Sequence, residues 1–351
     1  MWFLQKRRIL PLMKNKNNAL DTLFYPFEKG LLPWPAAGSA VLFLNAQNHS
    51  ALSNLNAATL QQTFKPYSVH LPNAVQNIPS EAGAMNMALI ALPKNHVEAQ
   101  YLIARALIAL KDDGQLIIAA DNKAGAGRIA KKLQNFGLNS DANESKNKAR
   151  VYWTTKTDIN QDAIDISVRA GQPKTILDGV YQSHPGIYGW DKVDKGSAIL
   201  AATFPEDLKG HGADFGCGYG YLSIEAIKNC TKIKSLTLID ADHRALECAK
   251  LNVANTEVQT QFLWEDLTTP VPSIKNMDFI LMNPPFHEGK MADSAIGIAF
   301  IKSAYAALRR NGSLYMVANN QLPYEPILEE LFFKTEKIHE GQGFKAFRAT
   351  K

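Results

Sequence analysis

The sequence predicts an α/β protein built as two tandem domains, each with a doubly wound, mostly parallel sheet. Three observations carry that prediction. Strand-like apolar runs alternate with helix-like stretches in both halves of the chain. The length, 351 residues, exceeds one ordinary domain. A helix–glycine–strand pattern in the first half recurs in the second, together with a companion segment in the same order.

The predicted strands, in order, are Val41 to Leu44, Ala88 to Leu92, Leu116 to Ala120, Leu236 to Ile239, Phe279 to Met282 and Leu314 to Ala318. Each is a short apolar run bounded by polar or turn-forming residues. The polar run 139–148 and the stretch 171–189 read as loops, which puts a boundary near residue 160 and domains at 1–160 and 161–351. In the repeat, Ala109 to Leu116 corresponds to Ala307 to Leu314. Both copies read as a helix end, a glycine (Gly114, Gly312) in the left-handed position after it, and an apolar strand ending in Asp121-Asn122 or Asn319-Asn320. Upstream, Ile90-Ala91-Leu92-Pro93-Lys94-Asn95 takes the place of Leu281-Met282-Asn283-Pro284-Pro285-Phe286. The halves read as copies of one fold.

Composition narrows the class. With 46% hydrophobic and 20% charged residues the chain is an ordinary globular protein. Cys217, Cys230 and Cys248 form no C-x-x-C pair and have no zinc-ligand spacing with histidine, so a reduced, cytoplasmic protein without a metal site is expected. No apolar run approaches the roughly 18 residues of a membrane span. The net charge of +5 suits a polyanionic partner without requiring one. Clusters such as Lys131-Lys132 and Arg309-Arg310 read as solvated surface.

Chemistry concentrates in the second half. Asp214-Phe215-Gly216-Cys217-Gly218-Tyr219-Gly220 is a glycine-rich turn between a short strand and a helix, where the backbone can approach a ligand closely. Alone it fits a phosphate loop, a dinucleotide site or a structural turn equally. Twenty-six residues on, an apolar strand ends in Asp240, a carboxylate placed to hold ribose hydroxyls. The pair indicates a nucleoside cofactor. The glycine spacing G-x-G-x-G departs from the dinucleotide fingerprint, as suits a cofactor without a pyrophosphate. Asp266, after the next strand, is a candidate for the adenine amino group.

The decisive element is the strand 278–282 running into Asn283-Pro284-Pro285-Phe286. Two prolines end the strand, stiffen the turn and remove backbone donors. The loop therefore offers acceptors: the Asn283 side-chain oxygen and the Pro284 carbonyl. An amino group conjugated to a heteroaromatic ring is a poor nucleophile. Two acceptors on its hydrogens favour pyramidalisation and aim its lone pair. Phe286 is placed to stack on the ring. Cys217 reads as a small filler between glycines, His184 and His243 as loop or surface groups, and His287 as a substrate contact or loop organiser.

These residues resemble the Rossmann-like amino-methyltransferases, and more narrowly the small-subunit ribosomal RNA guanine-N2 methyltransferases of the RsmC type. The resemblance spans nearly the whole chain. It includes Pro185-Gly186-Ile187-Tyr188, Asp194-Lys195-Gly196-Ser197, the extended loop through His287-Glu288-Gly289, and Val317-Ala318-Asn319-Asn320 before Leu322-Pro323-Tyr324. In the first half it rests on Pro93-Lys94-Asn95 and Glu98-Ala99-Gln100. It implies methylation of the N2 of one guanine in 16S ribosomal RNA, or in the small ribosomal subunit, by a monomeric two-domain enzyme using S-adenosylmethionine. The cofactor site then comprises Asp214, Gly216, Gly218, Gly220, Asp240, Asp266 and Asn283, and the catalytic loop Asn283, Pro284 and Phe286. His211-Gly212-Ala213 departs from the usual β-branched strand before Asp214.

Rival readings are a protein-glutamine or adenine-N6 amino-methyltransferase, and a non-catalytic RNA-binding protein of the same fold. The first domain reads as a degenerate copy serving RNA binding or folding support. Asn45-Ala46-Gln47 stands where the glycines should be, and Leu92 where the amide acceptor should be. Removal of 1–160 is then expected to leave cofactor affinity intact.

Overall fold

A computed structural model describes residues 18–55, 58–285 and 290–351, with backbone alone for 290–293. Phe286 and His287 lie outside the described residues. The chain divides into two units. One runs to Gln61 and resumes over Ile78–Ile166; the other takes Gln62–Asn77 and Ser167–Lys351.

The first unit contains α1 (Asn18–Glu28), β1 (Val41–Leu44) and β2 (Thr59–Gln61). The chain then passes through α2 (Lys65–Ser68), which belongs to the second unit, and returns as β3 (Met85–Ala91), α3 (His96–Ala109), β4 (Leu110–Asp121), α4 (Ile129–Asn135), β5 (Ala142–Lys146) and β6 (Ala149–Thr155). The strands order as β2-β1-β3-β4-β6-β5, parallel from β2 to β4 and antiparallel beyond. The helix spacing of Leu20, Leu23, Phe24 and Phe27 puts all four on the buried face of α1. The polar run 139–148 is not wholly loop. It holds β5, an edge strand, and the Asn147-Lys148 turn into β6, whose positive φ angles of 52° and 63° close the hairpin. A polar sequence hides a strand when only one neighbour pairs with it and solvent takes the rest.

After α5 (Gln161–Gly171), where the division between units falls, the second unit opens with the hairpin β7 (Lys174–Ile176) and β8 (Tyr181–Ser183) inside the stretch expected to be loop. There follow α6 (Lys195–Ala201), β9 (Lys209–Phe215), α7 (Tyr221–Asn229), β10 (Lys232–Asp240), α8 (His243–Asn252), β11 (Gln259–Trp264), β12 (Met277–Met282), α9 (Lys290–Ala307), β13 (Leu308–Asn319), α10 (Glu325–Leu331), β14 (Lys334–Gly341) and β15 (Phe344–Thr350). The sheet order is β11-β10-β9-β12-β13-β15-β14, with the last two strands antiparallel. From β9 the chain winds outward through β10 and β11, then crosses back to β12 on the other side. The switch point lies between β9 and β12, where open α/β sheets bind ligands at the strands' carboxyl ends. Phe279 and Leu281 pack into the core on one face of the sheet, Ile280 and Met282 into the core on the other. A strand buried on both faces reads as a continuous apolar run.

The repeat is realised with one correction. The helix ends at Ala109 and Ala307 are followed at once by β4 and β13, and the left-handed residues are Asp113 (φ 61°) and Asn311 (φ 62°). Gly114 and Gly312 are small for another reason. A Cβ on Gly114 would meet the Lys111 carbonyl oxygen at 2.9 Å, and one on Gly312 the Met277 carbonyl oxygen at 2.7 Å. Asp and Asn accept the left-handed region more readily than other side chains.

The departure before Asp214 also has a packing cause. β9 carries glycine at 212 because a Cβ there would collide with the Phe279 ring, while pairing with β10 and β12 makes the strand. The aromatic side chain of β12 fills the space a β-branched residue would have occupied.

Candidate active site

The carboxyl ends of β9, β10 and β12 converge at the switch point. Gly216, Gly218 and Gly220 have φ angles of 72°, 55° and 92°, a backbone path that side chains rarely adopt. Nothing lies within 4 Å of a Cβ built on Gly218, so the turn leaves open space above it. Cys217 between them is buried and its thiol is free.

Asp240 ends β10 half-buried. One carboxylate oxygen accepts from the Gly218 N–H at 2.8 Å and the other from the Asp242 N–H at 2.8 Å. Burial pushes its carboxyl up to about 6, against those hydrogen bonds, with the Asp242 charge adding to the rise. Asp214 is fully buried and pushed up to about 7 by the same cause. Its Oδ2 accepts from the Ser223 hydroxyl at 2.7 Å, tying β9 to α7, while Oδ1 has no partner. Asp266, beyond β11, accepts from the Thr268 N–H at 2.9 Å.

Asn283 follows β12 directly. Its Nδ2 donates to Asp194 Oδ1 and to the Ser197 hydroxyl, each at 2.8 Å. A carboxylate can only accept, so the nitrogen must face Asp194 and the amide orientation is fixed. Oδ1 is left buried without a partner. Asp194 is itself held as the N-cap of α6, accepting from the Ser197 N–H at 2.9 Å. Asn283, Ser197, Tyr188, Tyr219, Gly216 and Gly218 line one cavity. A larger surface cleft beside Ile233, Lys234 and Asn252 opens at the amino end of β10, away from every expected site residue.

The structure thus gathers Gly216, Gly218, Asp240 and Asn283, with Asp214 beneath them and Pro284 next in the loop. Phe286 is not described. Asp194 and Ser197 carried no role in the sequence reading. The available signal was the helix-start pattern of an aspartate three residues before a serine, but its contact with Asn283 crosses 89 residues. Two buried, unpartnered acceptors beside a glycine cradle fit a cofactor bearing an amino group and a substrate bearing another. Among the described residues no group of three or more His, Cys, Asp or Glu could hold a metal ion, and no helix is long and apolar enough to cross a membrane.

Comparison with known proteins gives concordant matches. Residues 179–348 match the family model of the methyltransferase small domain, and residues 37–167 that of its N-terminal domain. A relative from Pseudomonas entomophila, a ribosomal RNA small subunit methyltransferase C, is 31% identical over 76% of this chain and 80% of its own. One of the same name from Yersinia enterocolitica is 27% identical over 78% and 76%. The solved T. thermophilus 16S rRNA N2 G1207 methyltransferase, in complex with AdoMet and guanosine, shares the fold with a TM-score of 0.76, covering 95% of this chain and 91% of its own at 23% identity.

Proposed function

The chain belongs to the ribosomal RNA small subunit methyltransferase C family, and from that membership and the geometry above we propose that it methylates the exocyclic N2 of a guanine in 16S ribosomal RNA, at position 1207 as in the T. thermophilus protein. The observation that carries the reading is Asn283 Oδ1, an acceptor held unpaired at the switch point by the Asp194 and Ser197 contacts of its own amide nitrogen.

S-adenosylmethionine supplies the electrophilic methyl group. Gly216, Gly218 and Gly220 would cradle it, Asp240 would hold its ribose, Asp266 its adenine, and the unpaired Asp214 Oδ1 suits its amino group. Asn283 Oδ1 and the Pro284 carbonyl accept the two hydrogens of the guanine amino group, drawing its lone pair out of ring conjugation and toward the methyl. The amino nitrogen becomes a better acid once methylated, and its surplus proton leaves after transfer. No strong general base is therefore required before attack. Phe286 stacks on the guanine in this reading.

The first unit serves RNA binding or folding support, and the chain acts as a monomer. Loss of catalysis in the first unit is supported by Asn45 and the fully buried Ala46, which follow β1 where a glycine cradle would be needed, and by Leu92, buried where an amide acceptor would be. Asn95 caps α3, accepting from the Val97 and Glu98 N–H groups at 3.0 Å each.

The test is radioactive methyl transfer to undermodified small subunits, with the labelled nucleoside identified. N2-methylguanosine is expected. Label in N6-methyladenosine or in a protein glutamine would replace this function with a rival one.

A further inference from the structure

A short piece of the chain's first half is built into the second unit. Residues 63–67 leave β2 and lie along the turn that follows Asp240. The Lys65 N–H donates to the Ala241 carbonyl at 2.7 Å, and the His243 N–H donates to the Thr63 carbonyl at 2.9 Å. These two bonds flank an antiparallel bridge between Phe64 and Asp242. Trp264, the last residue of β11, adds its indole N–H to both carbonyls, at 2.8 Å to Ala241 and 3.1 Å to Thr63. The Lys65 ammonium sits 4.8 Å from the centroid of the Trp264 ring and 3.5 Å from the Glu265 carboxylate.

The segment therefore touches the two places where the site's acidic residues emerge. Asp240 immediately precedes Ala241, and its Oδ1 is bonded to the N–H of Asp242, the residue bridged to Phe64. Asp266 follows Glu265, whose N–H donates to the Asp240 carbonyl at 3.2 Å. The glycine turn grips Asp240 from one side through Gly218; residues 63–67 fix the peptides beyond it from the other. Without them the Ala241 carbonyl loses its backbone donor and the His243 N–H its acceptor, which leaves the 241–243 turn to the Trp264 indole, the Asp240–Asp242 bond and the α8 cap. A ribose-binding carboxylate that must be ordered at the moment of binding binds less tightly.

We infer that residues 63–67 are a positioning strap of the S-adenosylmethionine site, setting the Asp240 turn and the end of β11 from a segment of the other half of the sequence. The inference rests on the assignment of Asp240 to the cofactor. The strap touches neither substrate nor reacting atoms; it acts through the loops it holds.

The test uses the full chain. Lys65→Pro deletes the N–H given to Ala241 and turns its ring Cδ against that carbonyl, so it removes the bond and pushes the strap off the turn, while the extended Phe64 (φ −98°, ψ 115°) and the first position of α2 accept a proline's own dihedral angles. Lys65→Ala keeps the N–H and removes the ammonium, and Trp264→Phe keeps the ring and removes the indole donor. Calorimetry with S-adenosylmethionine and steady-state kinetics are read together. For Lys65→Pro the Kd and the KM for the cofactor should rise at least about fivefold, loss of one net hydrogen bond setting the lower bound, with kcat at saturation within about twofold of the parent. Trp264→Phe should move in the same direction, Lys65→Ala less, and Lys65→Arg should match the parent. Parent-like cofactor affinity in Lys65→Pro beside weakened affinity in Asp240→Ala overturns the strap. Parent-like affinity in Asp240→Ala overturns the cofactor assignment beneath it. A fall in kcat with unchanged KM also overturns the strap. Should Lys65→Pro fail to fold, Trp264→Phe decides by the same criteria.

Discussion

The amide of Asn283 has two ways to sit at the end of β12, and the paired acceptors Asp194 and Ser197 allow only the one that leaves Oδ1 unpaired. Replacing Asn283 with alanine should lower kcat on the order of a hundredfold while the cofactor Kd stays near the parent value, because the lost acceptor acts on the nucleophile. Turnover within a few-fold of the parent would remove the amino-positioning mechanism. Asp194→Ala should lower kcat less, about tenfold, since the freed amide can still visit the productive orientation, and should cost about 1 kcal/mol of stability through the lost α6 cap. Single-turnover kinetics and urea unfolding read the two effects separately. Asp240 carries a pH dependence. Its carboxyl titrates near 6 through burial, and ribose hydroxyls donate to the ionised form. Protonation on acidification thus weakens binding, and affinity levels off above the titration. At pH 5 about a tenth of the carboxyl is ionised, so the Kd should be about tenfold higher than at pH 8. A flat Kd across that range would place the ribose contact elsewhere.

At the scale of elements, two of the three strands that carry the site, β10 and β12, were legible because each holds an apolar run buried on both faces. β10 and β12 end where the sequence says they end, at Asp240 and Met282. Their starts were not legible. β4 and β13 begin at Leu110 and Leu308, in charged residues that sequence pattern assigns to the turn. β9 was obscured by His211-Gly212, because the reason for a glycine there is a ring 67 residues later in the chain. Gly212→Ala should therefore destabilise the protein by about 1–3 kcal/mol, the range for forcing extra volume into a packed core. Phe279→Leu in the same chain should recover part of that loss. Urea denaturation of the two single variants and the double measures it; independent, additive losses would mean that Gly212 and Phe279 do not share the space.

At the scale of the whole molecule, duplication with divergence predicts one cofactor per chain, since only the second copy keeps the glycine turn and the amide acceptor. Calorimetric stoichiometry near one is the expected result, and two would restore the first copy as a cofactor site. The same division bears on truncation. The sequence predicts that removing residues 1–160 leaves cofactor affinity intact, but Gln62–Asn77 belongs to the second unit, and its Thr63 and Lys65 bond to the turn after Asp240. A chain lacking it should bind S-adenosylmethionine more weakly.

The sequence by itself determined the α/β class, the recurring helix–strand unit in the two halves, the glycine turn, the carboxylate on the next strand and the Asn283-Pro284-Pro285 turn after β12. All of these are written locally, in the period of apolar residues and in backbone demands that only glycine or proline meets. Only the tertiary structure decided which way the Asn283 amide faces, why Gly212 is a glycine, where the polar edge strand β5 lies and which residues of the first half belong to the second unit. Each of those depends on atoms far apart in the chain that meet only when the sheet has formed, and no local pattern records such a meeting.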